Sequence, residues 1–581
     1  MARLFDWQRA AWNHGQASML WVVTPTQVRV LDAYARPPAK PGRDGLERIE
    51  IRRFERIADQ LEELRDTVSR QEIESGLFWR RAGRGIDRKN RVDRQLIQDL
   101  SGVAGRLCEA GLELSEAHRL LLRAIFASYL ESRGWLTPQR LRPAVGVEGV
   151  QEALKKPQAA QRLFAWLAET FNGDVFPAGR ARPYSAGQLE ELRFFLRGGD
   201  PKTGQRYLWP YEFDVVPVEL LSSIYEEFAH ALDPTAAKSR STHYTPMNLV
   251  ELTLAEVFDD DNFEDELPAE PRVLDLACGS GVFLVEALRR LVSRRLAAGA
   301  PLTRKLIRDT LYKQIFGVDL SAGAVQIAAV SLYLAALELD PNPHLGNGVK
   351  FEALVYPDDA DKRSERRCFN LFAADAFDVE ADFNRQAPFA EKSFAAVFGN
   401  PPWTRPRGAR AAAGAAALDE LRHVVYCRER EISLPSQDPP DQAFAWRAAD
   451  FAVEGARLGL ILSARRFFSH HPDTVTARQG LLGRFVPRTV VNLAALHRER
   501  VFPTAIHPGM IYVAANQPGS PQSSFSYVTV ERSKDFERHG TIEIGPELVK
   551  SLSSRRAIHE DDFLKIATWG NARDARLVEE L

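Results

Sequence analysis

Cysteine is scarce in this chain: its 581 residues include only four, Cys108, Cys278, Cys368 and Cys427. No two of them form a C-x-x-C pair, which argues against a disulfide scaffold and a cysteine-type zinc site and is typical of a reducing compartment. The sequence also lacks a run of about 18 consecutive apolar residues, the length that a membrane-spanning helix needs. Its first residues, MARLFDWQRAAWNHG, lack the apolar core of a signal peptide. We therefore expect a cytoplasmic protein that does not associate with a membrane.

An excess of charge of one sign is absent as well. The 76 basic residues nearly balance the 78 acidic ones, which gives a formal net charge of −2. This balance excludes a wholly basic nucleic-acid coat but leaves local basic patches open. Hydrophobic residues make up 45% of the chain and charged residues 27%, which is the composition of a folded protein rather than a disordered one. The length indicates several domains, because a single core stops growing at roughly 250–300 residues.

Periodicity and composition divide the chain into four predicted parts. Alternating apolar residues on both sides of a Thr24-Pro25-Thr26 turn predict paired strands in a small α/β module over 1–95. Apolar residues at three- and four-residue spacing predict a helical domain over 96–235. Short β-rich runs alternate with helical runs over 236–530, which predicts βαβ units and a doubly wound, Rossmann-like parallel sheet. Residues 531–581 are expected to form a C-terminal extension.

The first module ends in a basic tract, residues 80–94, in which seven basic residues outweigh Asp87 and Asp93. The basic residues are Arg80, Arg81, Arg84, Arg88, Lys89, Arg91 and Arg94. Such a tract is either a solvated loop or an edge that contacts phosphates, and the sequence leaves both interpretations open.

A metal-dependent nuclease in the same chain would need an acid followed by Glu-x-Lys or Asp-x-Lys on a strand. The two matches, Asp87-Arg88-Lys89 and Asp200-Pro201-Lys202, lie in polar segments rather than on apolar strands. The N-terminal module could be a degenerate nuclease-like fold, and we predict no DNA cleavage by this chain alone. We expect no metal site either, since His470 and His471 have no acidic or cysteine partners at ligand spacing.

A glycine-rich turn follows the first strand of the predicted sheet. Asp275 ends that strand, and Gly279-Ser280-Gly281 then leads into a helix. A dinucleotide fingerprint, G-x-G-x-x-G, would need a third glycine where this sequence has Leu284, which disfavours a pyrophosphate-bearing cofactor. A carboxylate just before the glycines instead suits a ligand that carries a positive ammonium group. The alternative is a tight strand-to-helix turn without a ligand.

Two further carboxylates follow predicted strands. Asp319 precedes a helix, where a carboxylate can accept hydrogen bonds from ribose hydroxyls. Asp375 follows a third strand, where it could contact an adenine amino group. Each is also an ordinary turn or helix-start residue, so neither identifies a ligand by itself.

The next apolar strand, FAAVFG, ends in Asn400-Pro401-Pro402-Trp403. Two consecutive prolines fix φ and remove two amide donors, which leaves the carbonyl oxygens around Asn400 and Pro401 free to accept hydrogen bonds. An amide oxygen and a backbone carbonyl can hold both hydrogens of an exocyclic NH2 group and direct its lone pair toward an electrophile. Trp403 offers a stacking face, and a base buried in a duplex would have to be flipped out to reach it. The alternative is a proline-rich turn with no substrate.

Taken in order, the segments YTP (244–246), DLACGSG, VDL, AAD and NPPW resemble the motif series of the N6-adenine DNA methyltransferases of γ order. The resemblance covers residues 220–527, about half of the chain. NPPW alone is shared by several amino-methylating families, and the ordered set is more specific. Members of the family usually have Tyr or Phe as the last residue of this motif, and Trp403 is a larger variant that keeps a stacking face.

The resemblance implies S-adenosylmethionine as the cofactor and direct, in-line methyl transfer without a covalent intermediate. It implies that Asn400, Pro401 and Pro402 orient the target amine and that Trp403 stacks on the target base. Asp275 would lie near the methionine part of the cofactor, Asp319 near the ribose and Asp375 near the adenine. The full set implied to line the cofactor pocket is Tyr244, Thr245, Pro246, Asp275, Cys278, Gly279, Gly281, Asp319, Leu320, Asp375 and Phe377.

The resemblance also implies duplex DNA as the partner, in a restriction–modification or phage-defence system. The loop after Trp403 carries Arg405, Arg407 and Arg410, which could contact DNA phosphates or belong to a soluble loop. A target recognition domain is expected to be absent or shortened at the C-terminus, so that specificity could come from a partner subunit. Two alternatives stay open: a methyltransferase that acts on RNA or on protein glutamine, and a DNA-binding modification subunit that is active only with a partner.

Overall fold

The computed structural model describes most of the chain. The described residues are 2–37, 43–55, 58–171, 183–199, 211–219, 245–343, 351–357, 368–403, 421–435, 438–499, 501–502, 507–520, 522–530, 542, 544–560 and 562–569. The predicted site residues Tyr244, Arg405, Arg407 and Arg410 lie outside them. The chain forms two compact units. Unit 1 comprises Met1–Phe228, Pro343–Glu352 and Ser533–Glu543, and unit 2 comprises Ala229–Asn342, Ala353–Arg532 and Ile544–Leu581. The four-part division expected from the sequence stays a prediction.

Unit 1 begins with a small antiparallel sheet of β1 (Met19–Val23), β2 (Gln27–Asp32) and β3 (Glu50–Glu55), in that order. The turn between β1 and β2 is closed by Thr24, whose backbone N–H donates to the Gln27 carbonyl at 2.9 Å. The strand pair predicted on both sides of this turn is therefore confirmed. One face of the sheet packs on buried apolar residues of the following short helices, among them Phe78 and Trp79.

Helices make up most of the remaining described residues of unit 1, in agreement with the three- and four-residue spacing of the sequence. They are α1 (Ala2–His14), α2 (Arg43–Glu47), α3 (Leu61–Val68), α4 (Arg70–Glu74), α5 (Leu77–Arg80), α6 (Val92–Glu109), α7 (Leu114–Ser132), α8 (Pro138–Val145), α9 (Val150–Ala153), α10 (Pro157–Thr170) and α11 (Ala186–Leu196). Short 3-10 turns lie at Ala82–Gly85 and Arg88–Asn90.

Unit 2 contains a nine-stranded, mostly parallel sheet. Its strands are β4 (Arg272–Asp275), β5 (Ile315–Asp319), β6 (Leu371–Ala373), β7 (Phe394–Gly399), β8 (Ala452–Ser463), β9 (Val486–Asn492), β10 (Gly509–Ala515), β11 (Ser524–Thr529) and β12 (Val549–Ser553). Their spatial order is β12-β11-β9-β10-β8-β7-β4-β5-β6. The α/β class with a large doubly wound sheet, predicted from the alternation of β-rich and helical runs, is confirmed.

The sheet departs from the expected all-parallel pattern on one side. Strand β10 runs antiparallel to both β8 and β9, and β12 runs antiparallel to β11. Antiparallel neighbours can be joined by a short connection, whereas parallel neighbours need a crossover. Between β9 and β10 the described residues form a 3-10 turn, Ala494–Glu499, rather than a crossover helix. The alternation of β-rich and helical runs in the sequence does not indicate the antiparallel direction of β10 and β12.

Helices cover both faces of the sheet in unit 2. They are α12 (Met247–Phe258), α13 (Val282–Ala297), α14 (Arg304–Gln314), α15 (Ala322–Leu339), α16 (Ala387–Ala390), α17 (Arg422–Glu429), α18 (Pro440–Ala449), α19 (Ala464–Phe468), α20 (Pro472–Arg484), α21 (Ser554–His559) and α22 (Phe563–Trp569), with short 3-10 turns at Asp260–Asn262, Asp382–Arg385, Ala494–Glu499 and Pro546–Leu548. Strand β8 contacts helices on both faces of the sheet, because successive residues of a strand point to opposite sides. Gly459 lies against α12, where an added Cβ would be 2.3 Å from Val257. Leu458 and Leu460 belong to the core that includes Phe444 of α18.

Among the described residues, α15 is the one helix long and apolar enough to cross a membrane by length and composition, with a mean hydropathy of 1.6. Two thirds of it, 67%, is buried inside the protein. A core helix passes the same test, so this helix is weak evidence for a membrane span.

Candidate functional site

Four polar residues singled out from the sequence lie at one edge of the large sheet. Strands β7, β4, β5 and β6 are adjacent and parallel, so their carboxyl ends share an edge. Asn400 follows β7, Asp275 ends β4 and Asp319 ends β5, while Asp375 comes two residues after β6. The structure therefore brings together the three predicted carboxylates and the predicted amine-binding asparagine. Carboxyl ends of parallel strands are the usual ligand sites of such sheets.

The glycine turn after β4 is joined to the end of β5. The backbone N–H of Gly279 donates to Asp319 Oδ2 at 2.9 Å, and the N–H of Cys278 donates to the Val318 carbonyl at 3.0 Å. Gly279 and Gly281 have φ of +51° and +86°, a region that glycine adopts most readily. At Gly281 an added Cβ would also lie 2.9 Å from Ala328 of α15, so this glycine allows close helix packing.

Asp319 is fixed by two backbone donors. In addition to the bond from Gly279, Oδ1 accepts from the Ser321 N–H at 2.8 Å. A carboxylate offers about four lone-pair sites, so it can accept bonds from a ligand beyond these two. The next side chain, Leu320, is 58% exposed. Asp319 and Leu320 could therefore give a ligand a polar and an apolar contact at the end of β5.

Asp275 is almost completely enclosed, with 1% of its surface exposed. Its Oδ1 accepts from the Ala277 N–H at 2.9 Å. Burial, with a smaller contribution from the negative charge of Asp319, raises the pKa of Asp275 to about 8. Gly399 makes room for this carboxyl, because an added Cβ there would be 2.4 Å from Asp275 Oδ1. A cationic ligand would favour the ionised carboxylate at neutral pH.

The thiol of Cys278 lies in the same enclosed region. Burial raises the pKa of Cys278 well above its ordinary value, and the nearby Asp319 and Asp275 act in the same direction. Because the thiolate is the nucleophilic form, this cysteine is not activated for covalent catalysis.

Asp375 and Phe377 form the third part of the edge. Asp375 Oδ1 accepts from the Phe377 N–H at 2.9 Å, which closes a local turn. The Phe377 ring packs edge-on against Phe444 with a centroid distance of 4.9 Å. Arg447 of α18 donates from Nε to the Ala376 carbonyl at 2.7 Å and from Nη1 to Asp450 Oδ2 at 2.8 Å. Sequence reasoning missed Phe444 and Arg447; the available signal was an arginine within the mostly apolar run QAFAWRAADF.

Asn400 is held by Thr245. Its Nδ2 donates to Thr245 Oγ1 at 3.0 Å, and Thr245 itself is buried. The other amide atom, Asn400 Oδ1, is buried and has no hydrogen-bond partner among the described residues. Pro246 follows Thr245 and precedes α12. Pro401 lines a narrow hollow beside Asp275 and Gly399. The site thus presents an acceptor without a donor, next to residues that cannot donate from their backbone.

Trp403 is placed differently from the expectation of an open stacking face. The indole is 2% exposed, its Nε1 donates to the Ile461 carbonyl at 3.0 Å, and its ring packs edge-on against Phe502 at 4.7 Å. Gly509 lies beside it, since an added Cβ would be 2.8 Å from Trp403 Cη2. In this structure Trp403 is part of the packing, and stacking on a base would require local rearrangement. Pro402 precedes it and is half-buried.

Metal-ligating side chains do not cluster in the part of the chain that the structure describes: no group of three or more His, Cys, Asp or Glu residues could hold an ion there. His470 and His471 each lie 3.5 Å from a single, mostly exposed carboxylate, that of Asp562 and that of Asp473.

Comparison with known proteins places this site in a family. Residues 217–513, slightly more than half of the chain, match the family described as N-6 DNA Methylase. No curated protein matches the sequence.

Similar solved structures include a protein–DNA complex, a restriction endonuclease and a methyltransferase subunit of a restriction–modification system. The DrdV–DNA complex has 14% identity and a TM-score of 0.43, with 88% of this chain and 47% of that chain covered. The type IIG restriction endonuclease BpuSI has 12% identity and a TM-score of 0.46, with coverage of 99% and 58%. The type I methyltransferase subunit from Streptococcus thermophilus has 15% identity and a TM-score of 0.43, with coverage of 81% and 97%. The chain spans about half the length of the first two. By the match over 217–513, which includes the glycine turn and Asn400, the chain belongs to the N-6 DNA methylase family.

Proposed function

We propose that this chain transfers a methyl group from S-adenosylmethionine to the N6 amine of adenine in duplex DNA, as part of a restriction–modification or phage-defence system. The observation that carries the proposal is the buried Oδ1 of Asn400, which lacks a partner among the described residues. A buried acceptor without a donor costs about 1–3 kcal/mol. An amine hydrogen of a bound substrate would satisfy it.

The residues at the sheet edge fit the proposed cofactor. S-adenosylmethionine, when bound, supplies an electrophilic methyl group and carries an ammonium, a ribose and an adenine. Asp275, a buried carboxyl, suits the ammonium end, and Asp319 suits the ribose hydroxyls. Asp375 would accept from the adenine amine, with the exposed Leu320 and the ring of Phe377 near the base.

The chain's own contribution to chemistry would be positioning. Asn400 Oδ1 and the Pro401 carbonyl would accept the two hydrogens of the target amine, which keeps its lone pair out of conjugation with the ring. Thr245 would fix the orientation of the Asn400 amide through the 3.0 Å bond from Nδ2. Holding the amine in line is expected to supply most of the rate enhancement. A target inside a duplex would be reached by base flipping.

A methyl-transfer assay with labelled S-adenosylmethionine on duplex DNA, followed by nucleoside analysis, tests the proposal. We expect N6-methyladenine from the wild-type chain and none from Asn400→Ala. Formation of N4-methylcytosine, or label found only in RNA or protein glutamine, would overturn it. Activity that appears only after other defence-system subunits are added would identify the chain as a modification subunit dependent on partners.

A further inference from the structure

The basic tract in unit 1, residues 80–94, has no part in the proposed chemistry. Seven basic residues stand against two acidic ones there, in a chain whose net charge is −2. The structure resolves the tract into ordered turns: the end of α5, the 3-10 turns Ala82–Gly85 and Arg88–Asn90, and the first turn of α6. The tract is thus a shaped surface rather than an unstructured charged segment.

Apolar side chains hold this surface in place. Phe78, Trp79, Ile86 and Val92 are each at most 5% exposed, and the first three belong to the core cluster under the small sheet. Gly83 lies against the ring of Phe78, where an added Cβ would be 2.5 Å from Cε1. These buried positions alternate with basic residues along the tract, so the backbone that carries the charges is fixed.

The basic side chains point mostly to solvent. Exposed positions are Arg80, Arg81, Arg84, Lys89 and Arg94, and Arg81 lies 4.0 Å from the carboxylate of Glu72. The two acids of the tract are engaged locally: Asp93 lies 3.4 Å from Arg91, and Asp87 Oδ1 accepts from the backbone N–H of Lys89 at 2.8 Å. Within the described residues, Arg84 and Arg94 have no carboxylate within the 4.0 Å of an ion pair. The surface therefore keeps a strong positive charge.

We propose that this surface binds the phosphate backbone of duplex DNA, as a contact separate from the amine site at the sheet edge. Arginine forks match phosphate oxygens in bidentate geometry, and a fixed backbone loses less conformational entropy on binding. The proposal rests on the proposed function for the identity of the polyanion. Two other exposed arginines of unit 1 differ from Arg84 and Arg94 because each is paired with an acidic side chain. Arg65 on α3 lies 3.7 Å from Asp66, and Arg70 on α4 lies 2.5 Å from Glu74.

DNA binding by the full chain, measured without cofactor across about 50–200 mM salt, tests this surface. Each phosphate contact contributes about −0.9 to the slope of log affinity against log salt. Replacing Arg84→Ala and Arg94→Ala together should make the slope shallower by about 1 to 2 and weaken binding at the lowest salt by at least about tenfold. The matched control, Arg65→Ala with Arg70→Ala, removes two cations from the same unit and should leave the slope unchanged. If the alanine pair does not fold, Arg84→Gln with Arg94→Gln replaces it.

The outcomes separate this inference from the proposed function. An unchanged slope for the Arg84/Arg94 variant, or an equal change in the control, overturns the inference even where the chain methylates adenine. If the salt slope becomes shallower in the Arg84/Arg94 variant but not in the control, and the chain transfers no methyl group, the inference is supported and the proposed function fails. A larger loss of affinity for structured RNA than for duplex DNA would overturn the assignment of the partner. At saturating DNA, the variant should retain the wild-type kcat with a raised KM.

Discussion

The backbone N–H of Gly279 donates to Asp319 Oδ2 at 2.9 Å, and this bond links the glycine turn after β4 to the end of the neighbouring β5. The two halves of the proposed cofactor pocket are therefore coupled before any ligand arrives. The residue that would hold the ribose also fixes the turn that would face the methionine part.

Asp319→Ala is expected to weaken S-adenosylmethionine binding by more than a ribose contact alone would explain. It removes the ligand contact and also releases Gly279, and a charge-assisted hydrogen bond contributes about 1.5–3 kcal/mol. We expect an affinity loss of about 100-fold by titration calorimetry. Asn400→Ala is the control, because it lies on the amine side and should bind cofactor normally. Equal losses in both variants would show that the two roles are assigned wrongly.

The pKa of Asp275 makes stability depend on pH. Burial raises this pKa from 3.8 to about 8 in the folded, cofactor-free protein, whereas the unfolded chain keeps the ordinary value. The folded state therefore binds one more proton between these values, and the free energy of unfolding should fall as pH rises toward 8. Asp275→Asn cannot ionise and should lack this contribution. Urea unfolding of both proteins from pH 6 to pH 9 measures the difference; parallel curves would contradict the raised pKa.

Thr245→Val tests whether Thr245 acts through Asn400. The substitution removes the oxygen that accepts from Asn400 Nδ2 but leaves the Thr245 backbone in place. We expect kcat to fall about tenfold, the effect of one lost hydrogen bond, with little change in cofactor affinity. Thr245→Ser, which keeps the hydroxyl, should restore most of the rate. A loss of cofactor affinity with an unchanged kcat would instead place the Thr245 hydroxyl on the cofactor.

Much of this edge could be predicted from the sequence, because strands that are parallel bring their carboxyl ends together. Asp275 and Asp319 each end a recognisable apolar strand and Asn400 follows one, so the parallel topology places the three residues close together. The bond between Asn400 and Thr245 joins residues 155 apart and could not be read from local pattern. The sequence predicts that Trp403 faces a base, but its ring is buried against Phe502 and Gly509, and Gly509 begins the antiparallel strand β10 that the sequence pattern did not indicate.

Arg447 is expected to be a positioning residue for the Asp375–Phe377 turn. Its side chain is 5% exposed and bonds the Ala376 carbonyl and Asp450. Arg447→Met should lower the free energy of unfolding by about 2–3 kcal/mol, because the Ala376 carbonyl loses this donor and Asp450 loses its arginine partner. Asp450 keeps the bond that it accepts from the Tyr426 hydroxyl at 2.9 Å and is half-exposed, so the cost is smaller than for a fully buried pair. Cofactor affinity should fall as well, because the turn that would contact the adenine loses its support.

The control for Arg447 is Arg385→Met, which removes an arginine that is 67% exposed and pairs with the surface carboxylates of Glu380 and Asp382. It should change unfolding by less than about 1 kcal/mol. If Arg447→Met proves as stable as the control and binds cofactor normally, the contacts to Ala376 do not position the turn.

Substitutions of Trp403 test whether its ring only packs inside the protein or also stacks on the target base. Trp403→Phe keeps an aromatic face but removes the Nε1 donor, so the Ile461 carbonyl loses its 3.0 Å partner. We expect a loss of about 1–3 kcal/mol in the free energy of unfolding from the unsatisfied carbonyl and the smaller ring. If the ring also stacks on the target base after rearrangement, Trp403→Phe should keep most of kcat at saturating cofactor. Trp403→Leu, which is apolar but not aromatic, should then lose most of kcat. Equal kcat in both variants, measured where each is folded, would limit Trp403 to packing against Phe502 and leave recognition of the base to Asn400 and Pro401.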